Sequence, residues 1–222
     1  VETGIRQKLA NFPVPEYVWA QDEVDQRIND RGIRIDTQLA TNAIRIDETH
    51  RAQALARAQE LTGLENPASP LQLQEWLNQH GCPIESMAKN AVDEALVSAS
   101  GEVKEALELR QELSRSSVAK YRKMMDATCT AQRTHGLLQF YGANRTGRWA
   151  GRLVQVQNLP RNYLPDHAQA RRLVRAGNGA ALDRLDPSVH DTLRQLIRNA
   201  IHHSEAHRHK AEEHSEIHAR VM

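Results

Sequence analysis

Residues 136–162, GLLQFYGANRTGRWAGRLVQVQNLPRN, interrupt the helical apolar spacing that organises most of the chain. Apolar residues recurring every three or four positions mark a helix with one buried stripe, whereas short runs punctuated by Gly, Asn and Thr mark strands and turns. LLQFYG and RLVQVQNL therefore read as the two strands of a hairpin. The fold class expected is mainly α: a helical body with a long helix pair and one small β-hairpin.

The helical part is legible from stripes and stops. The opening, through residue 20, has prolines at 13 and 15 and no period, so it reads as a linker or strap. Val24 and Ile28 share a face over residues 21–31, Gly32 stops that helix, and IRID follows as a short extended piece. Asp36 or Thr37 caps the next helix, whose stripe is Leu39, Ala43, Ile46, His50, Ala54 and Leu61, ending at Gly63. Ser69 before Pro70 opens a short helix buried through Leu73, Trp76 and Leu77, and another short helix covers residues 90–98. A long helix is expected from Gly101 to about Thr128, with Val103, Leu107, Leu113, Tyr121 and Met124 inside. Helices return over residues 167–175 and from Ser188 to about His203, the second started by Asp186 and Pro187.

Charge is distributed unevenly although the net value is only +1. Residues 133–175 carry Arg133, Arg145, Arg148, Arg152, Arg161, Arg171, Arg172 and Arg175 against the single acid Asp166. Such a block is either an anion-binding surface or a solvated face paired with acids elsewhere. Asp22, Glu23, Asp25, Asp30, Asp36, Asp47 and Glu48 make the start of the chain a poor partner for nucleic acid. Lys120, Arg122 and Lys123, near a helix end, either complement the helix dipole or meet phosphates. No apolar run approaches 18 residues, so no membrane span is expected and the chain reads as soluble and cytoplasmic. Cys82 and Cys129 have no partners at metal-ligand spacing and read as free, buried thiols.

Thr146, Gly147 and Arg148, then Gln157, Asn158, Leu159 and Pro160, fall without a gap on TGRLSS followed by PNLQNIP, a pattern of family A DNA polymerases. The segment resembles the phage and prophage branch of that family. Trp149, Ala150 and Gly151 replace LSS, and Val154 and Gln155 replace the proline and first asparagine. The resemblance implies that Arg148 reaches the minor groove at the primer terminus and that Gln157 and Asn158 hold the primer and template backbones. Residue chemistry agrees, because the minor groove presents acceptors on every base pair and an arginine fork can probe it without reading sequence. Arg145 and Arg152 join this DNA-binding set. Gly142, Gly147 and Gly151 suit either close backbone approach or tight turns.

INDRGIRID at residues 28–36 is similar to the family's junction between exonuclease-like and polymerase parts, and SPLQLQEWL to its SPKQL element. The helix ending in ELRQELSRSSVAKYRKM resembles the thumb helix, which would make Lys120, Arg122 and Lys123 phosphate contacts. The resemblance divides the chain into a strap (1–20), a joining helical segment (21–68), a thumb-like region (69–132), a partial palm with the basic hairpin (133–203) and a polar tail (204–222).

That tail resembles the family's metal-binding motif A with departures. Glu213 falls at the catalytic aspartate and His218 at the glutamate that excludes ribonucleotides. Magnesium needs near-octahedral oxygens at about 2.0 to 2.1 Å, so a carboxylate one methylene longer misplaces it. The chain also stops at Met222, before counterparts of the fingers helix and the second catalytic carboxylate, and two-metal transfer needs both carboxylates. The expectation is a polymerase fragment, part of an α+β enzyme that uses magnesium when complete, gripping primer-template duplex weakly and with salt sensitivity but not extending it. Oligomeric state is not encoded in any motif. The alternative is an engineered or relic helical scaffold, for which the start at Val1 and the polar tail give the motive. His203 with His207 and His214 with His218 stand at i,i+4 spacing and either bind zinc or form a solvated histidine surface.

Overall fold

A computed structural model of the chain describes residues 10–115, 118–143, 145–185 and 188–201, together with Gly4, Gln7 and Lys8. It is mainly helical with two small antiparallel sheets, the expected class. Two compact units are present, each gathered from distant stretches. The first contains the described residues of Val1–Ala40, Arg122–Arg161 and Ile197–Met222, and the second those of Thr41–Tyr121 and Asn162–Leu196.

In the first unit, α1 (Glu16–Arg31) starts where the ring of Pro15 sets φ at −58° and ends at Gly32, whose φ of 62° a side chain would resist. The strap expected through residue 20 is thus helical from Glu16 onward. Proline set the helix entry here, and its missing N–H costs nothing at a helix start. Glu16 and Arg31 have the signs that complement the dipole at their respective ends. A β-carbon at Gly32 would also lie 2.6 Å from the Thr134 carbonyl, so glycine lets β1 (Ile33–Arg34) pair antiparallel with β2 (Arg133–Thr134). Ile35 bridges Ile201, and the Asp36 amide donates to the Ala200 carbonyl at 2.7 Å. Ile33, Ile35, Leu39, Met124, Leu137, Leu159, Ile197 and Ile201 are buried in this unit.

Asp36, not Thr37, caps α2 (Thr37–Thr62): its carboxylate accepts the Leu39 amide at 3.1 Å. The 26 residues of α2 span about 39 Å at the standard rise. Its predicted stripe is buried at Leu39, Ala43, Ile46 and Ala54, and Gly63 follows with φ of 67°. In the second unit, α3 (Pro70–Gln79), α4 (Lys89–Ser98) and α5 (Gly101–Ser114) close around Leu73, Trp76, Leu77, Ile84, Val92 and Leu107. Full burial of a leucine such as Leu77 is worth about 1.5–3 kcal/mol. Ser69 stands at the predicted cap of α3, but its hydroxyl makes no capping bond; Pro70 supplies the start.

The long helix expected through Thr128 is two helices. α5 stops at Ser114, Arg115 is extended (φ −70°, ψ 135°), and α6 covers Ala119–Ala127. Arg51 supplies the reason. Its guanidinium donates to the carbonyls of Leu113 at 2.9 Å and Arg115 at 2.8 Å, satisfying groups that another helical turn would have used. The Ser-Arg-Ser-Ser run, poor in strong helix formers, permits the break. Tyr121 is fully buried and donates to the Leu193 carbonyl at 2.7 Å. α7 (His167–Arg175) has the predicted bounds and is capped by Asp166, which accepts the Gln169 amide at 2.8 Å. After α8 (Gly179–Leu182), α9 (Val189–Leu196) leads into a 3-10 turn at Ile197–Ala200. The start expected at Asp186 and Pro187 lies outside the described residues.

α9 also places a charge in the interior. His190, 1% exposed, has Nδ1 3.0 Å from Asp47 and Nε2 3.5 Å from Glu112. Neither N–H is well aligned on its oxygen, so the contact is an ion pair more than a formed hydrogen bond. Burial works against the charged ring, but the two carboxylates outweigh it and hold its pKa up at about 9. Contact with His190 in turn lowers Glu112 from the ordinary carboxylate range.

A histidine raised in the folded state contributes stability that is complete below its unfolded pKa of about 6.5 and is lost as pH climbs through about 9. Urea unfolding between pH 6 and pH 10 should therefore show stability falling across that interval. His190→Ala should remove most of the dependence and cost about 3–5 kcal/mol at neutral pH, because Asp47 is left buried without its counter-charge.

Candidate nucleic-acid interface

The hairpin expected in the middle of the chain is present in the first unit, with a different second strand. β3 (Leu138–Ala143) pairs antiparallel with β4 (Arg148–Gly151), Leu138 opposite Gly151, Gln139 opposite Ala150 and Ala143 opposite Arg148. RLVQVQNL is not a strand. The Arg152 amide donates to the Leu137 carbonyl at 2.7 Å, after which Leu153 and Gln155 take positive φ and Val156–Asn158 forms a 3-10 turn. The apolar alternation there instead buries Val154 and Leu159 beneath a turning backbone. Arg198 donates to the Leu159 carbonyl at 3.0 Å and secures it.

Two side chains of α1 fasten the hairpin. The Asn29 amide donates to the Leu138 carbonyl at 3.0 Å while its oxygen accepts the Leu138 N–H at 3.0 Å, the pair of bonds a neighbouring strand would make. One turn earlier, Asp25 accepts from Asn29 at 3.0 Å and also meets the Phe140 amide and the Trp149 side chain. Burial raises the Asp25 pKa above its ordinary value; the Phe140 amide opposes this, Asp22 adds to it, and Asn29 and Trp149 oppose it. Arg133 belongs to this anchoring too, donating to the Arg31 carbonyl at 2.7 Å and the Gly32 carbonyl at 3.1 Å at the end of α1.

Gly142 and Gly147 are sterically required, and Gly151 leaves room for a side chain beside it. A β-carbon at Gly142 would come 2.5 Å from that of Ala150, and one at Gly147, where φ is 63°, would come 2.8 Å from the Tyr141 ring. At Gly151 it would collide with the Gln157 side-chain amide, which therefore lies directly against the strand. At all three the room is taken by groups of the chain itself, which is hairpin geometry, and Gly147 sits in the turn as well.

Arg145, Arg148, Gln157 and Asn158 are exposed in this unit, as are Arg122 and Lys123 of α6. Asn158 donates to the Gln155 side chain at 3.2 Å, and exposed Arg152 bonds the Gln139 side chain. Lys120 is half-buried and belongs to the second unit. Glu213 and the histidines His203, His207, His214 and His218 lie outside the described residues. Among the described residues, no group of three or more His, Cys, Asp or Glu side chains could hold a metal ion, and no helix is long and apolar enough to cross a membrane. Both thiols are free, but neither is fully buried: Cys82 is half-buried and Cys129 exposed, its sulfur 3.7 Å from Nε2 of His135. Asp25 and Asn29 escaped sequence reasoning as parts of the site. Their i,i+4 spacing beside the Val24 and Ile28 stripe was the available signal.

The resulting surface is an arginine-bearing hairpin fastened to α1 through Asn29 and Asp25. Over 226 aligned residues the chain is 45% identical to a DNA polymerase of Bacillus phage SP02, an alignment that takes in 100% of this chain and 34% of the phage protein. The chain thus spans about a third of the length of that relative. No family model matches the chain, and no solved structure matches it.

Asp25 provides a test of the anchoring. A carboxyl raised on folding makes stability fall as pH rises from its ordinary value through the raised one, since the folded state holds the proton more tightly. Asp25→Asn should remove that slope with no loss of stability at pH 7, whereas Asp25→Ala should speed hydrogen exchange at the Phe140 and Leu138 amides. Equal exchange in Asp25→Ala and the parent chain would show that the carboxyl does not fasten the hairpin.

Proposed function

We infer that this chain is part of a family A DNA-directed DNA polymerase, and that its hairpin is the surface with which such an enzyme grips primer-template duplex. The observation that carries the reading is the hairpin itself: Arg148 stands exposed on a hairpin where Gly142 and Gly147 leave no room for a side chain, in a chain similar along its whole length to part of a phage DNA polymerase. Arg148 probes the minor groove, Gln157 and Asn158 hold the backbones beside it, and Arg145 and Arg152 add positive charge. Lys120, Arg122 and Lys123, in the thumb-like part, take phosphates of the duplex product.

Magnesium belongs, in this reading, to the complete parent enzyme. By the resemblance Glu213 falls at the position of a metal-binding aspartate, and a glutamate there sets its oxygens one methylene beyond an aspartate's. The chain by itself therefore grips duplex without extending a primer. No transfer step is assigned to it.

Fluorescence anisotropy of a labelled primer-template with the 222-residue chain at low salt tests the reading. Binding should weaken with salt at a log-log slope of about 0.9 per neutralised phosphate. Arg148→Ala should reduce affinity by about 1–3 kcal/mol, and Lys120→Ala should lower the salt slope by about 1. No binding, or binding indifferent to both substitutions, would leave a helical scaffold with a polymerase-like sequence.

A further inference from the structure

Between Gln139 and Ala143 the hairpin register shifts: three residues of β3, Phe140, Tyr141 and Gly142, face the single residue Trp149 of β4. Bulges of this kind turn a side chain away from the direction that regular pleating would give it. Here the redirected residue is Tyr141. Its φ is 53°, a conformation that a bulky aromatic residue adopts only under constraint, and the residue remains 54% exposed. Strain is thus accepted to present a ring to solvent, an arrangement that core packing does not explain.

The ring is also well supported. It lies over Gly147, where a β-carbon would come 2.8 Å from it, so the glycine backbone forms its floor. Phe140 meets it edge-on, with ring centroids 5.4 Å apart and planes at 69°, and Phe140 in turn leans on Trp149 at 6.1 Å. An aromatic series therefore runs from Trp149, beside buried Asp25, out to the exposed Tyr141. Arg145 and Arg148, both exposed, flank Gly147 in the sequence. A held aromatic face among exposed arginines on extended backbone has the two components of single-strand recognition: a stacking platform and positive charge for the backbone.

We propose that Tyr141 is a stacking platform for a nucleobase at the junction between duplex and single strand. This rests on the duplex-gripping reading of the hairpin and adds a preference for the end of the duplex. Base pairs inside a duplex are stacked on both faces and offer nothing to a tyrosine ring. At a junction, either the terminal base of the primer or the first unpaired base of the template has a free face. Arg148 supplies affinity for duplex generally; Tyr141 supplies the choice of its end.

The test uses 2-aminopurine, whose fluorescence responds to stacking, placed in three otherwise identical primer-templates: at the primer 3′ terminus, at the first unpaired template position, and mid-duplex. With the full 222-residue chain, one junction probe should change severalfold and the mid-duplex probe should not. Tyr141→Phe keeps the ring and should keep the signal. Tyr141→Asn tolerates the positive φ, so the hairpin should persist while the signal is lost. If the template probe is the one that responds, duplexes with an overhang should outcompete blunt ones of equal length for the parent chain and not for Tyr141→Asn. Whichever junction probe responds identifies the base that stacks. If Tyr141→Asn matches the parent chain at both junction probes while duplex binding still depends on Arg148, the platform is wrong and the grip stands. If the parent chain binds no duplex, both fall together.

Discussion

The bidentate pairing of the Asn29 side chain with the backbone of Leu138 is the interaction on which the hairpin depends. A two-stranded sheet in water is marginal by itself, because it leaves outer-edge groups unpaired and buries little. Asn29 acts as a surrogate third strand, one residue long, attached to a helix. Asp25 extends the attachment to Phe140 and Trp149. Everything displayed by the hairpin inherits its position from these two side chains, including the exposed arginine and the strained tyrosine.

The glycines show the same economy from the other side of the sheet. Gly142 lets the strands approach at the bulge, Gly147 receives the Tyr141 ring, and Gly151 receives the Gln157 amide. A side chain at Gly142 or Gly147 would push apart groups that the chain brings together. The string GANRTGRWAG is thus a steric specification in which arginine supplies charge and glycine supplies room.

Much of this was legible in the sequence, for reasons that particular residues make plain. The stripe of α2, the stop at Gly63 and the bounds of α7 follow from local spacing, and local spacing decides a helix. The break after Ser114 was not legible because its cause is Arg51, more than sixty residues away in the chain. RLVQVQNL alternates like a strand, yet it turns, because Leu153 and Gln155 adopt backbone angles that no alternation foretells. The acids near the start of the chain argued against nucleic acid there, and Asp25 proved to be buried beneath the hairpin. Charge counts cannot separate a solvated carboxylate from one serving as an anchor. The arginines sort in the same way: Arg133 holds the end of α1, while Arg145 and Arg148 are exposed.

If the hairpin on α1 is where duplex DNA is met, its amides are covered when DNA binds. Hydrogen exchange followed by mass spectrometry, with and without a short primer-template at low salt, asks this directly. Exchange should slow over residues 138–143 and 148–158 on adding DNA, with no comparable change in α3 or α4. Protection confined to other elements, with an unaltered hairpin in a chain that binds DNA, would contradict this placement of the DNA.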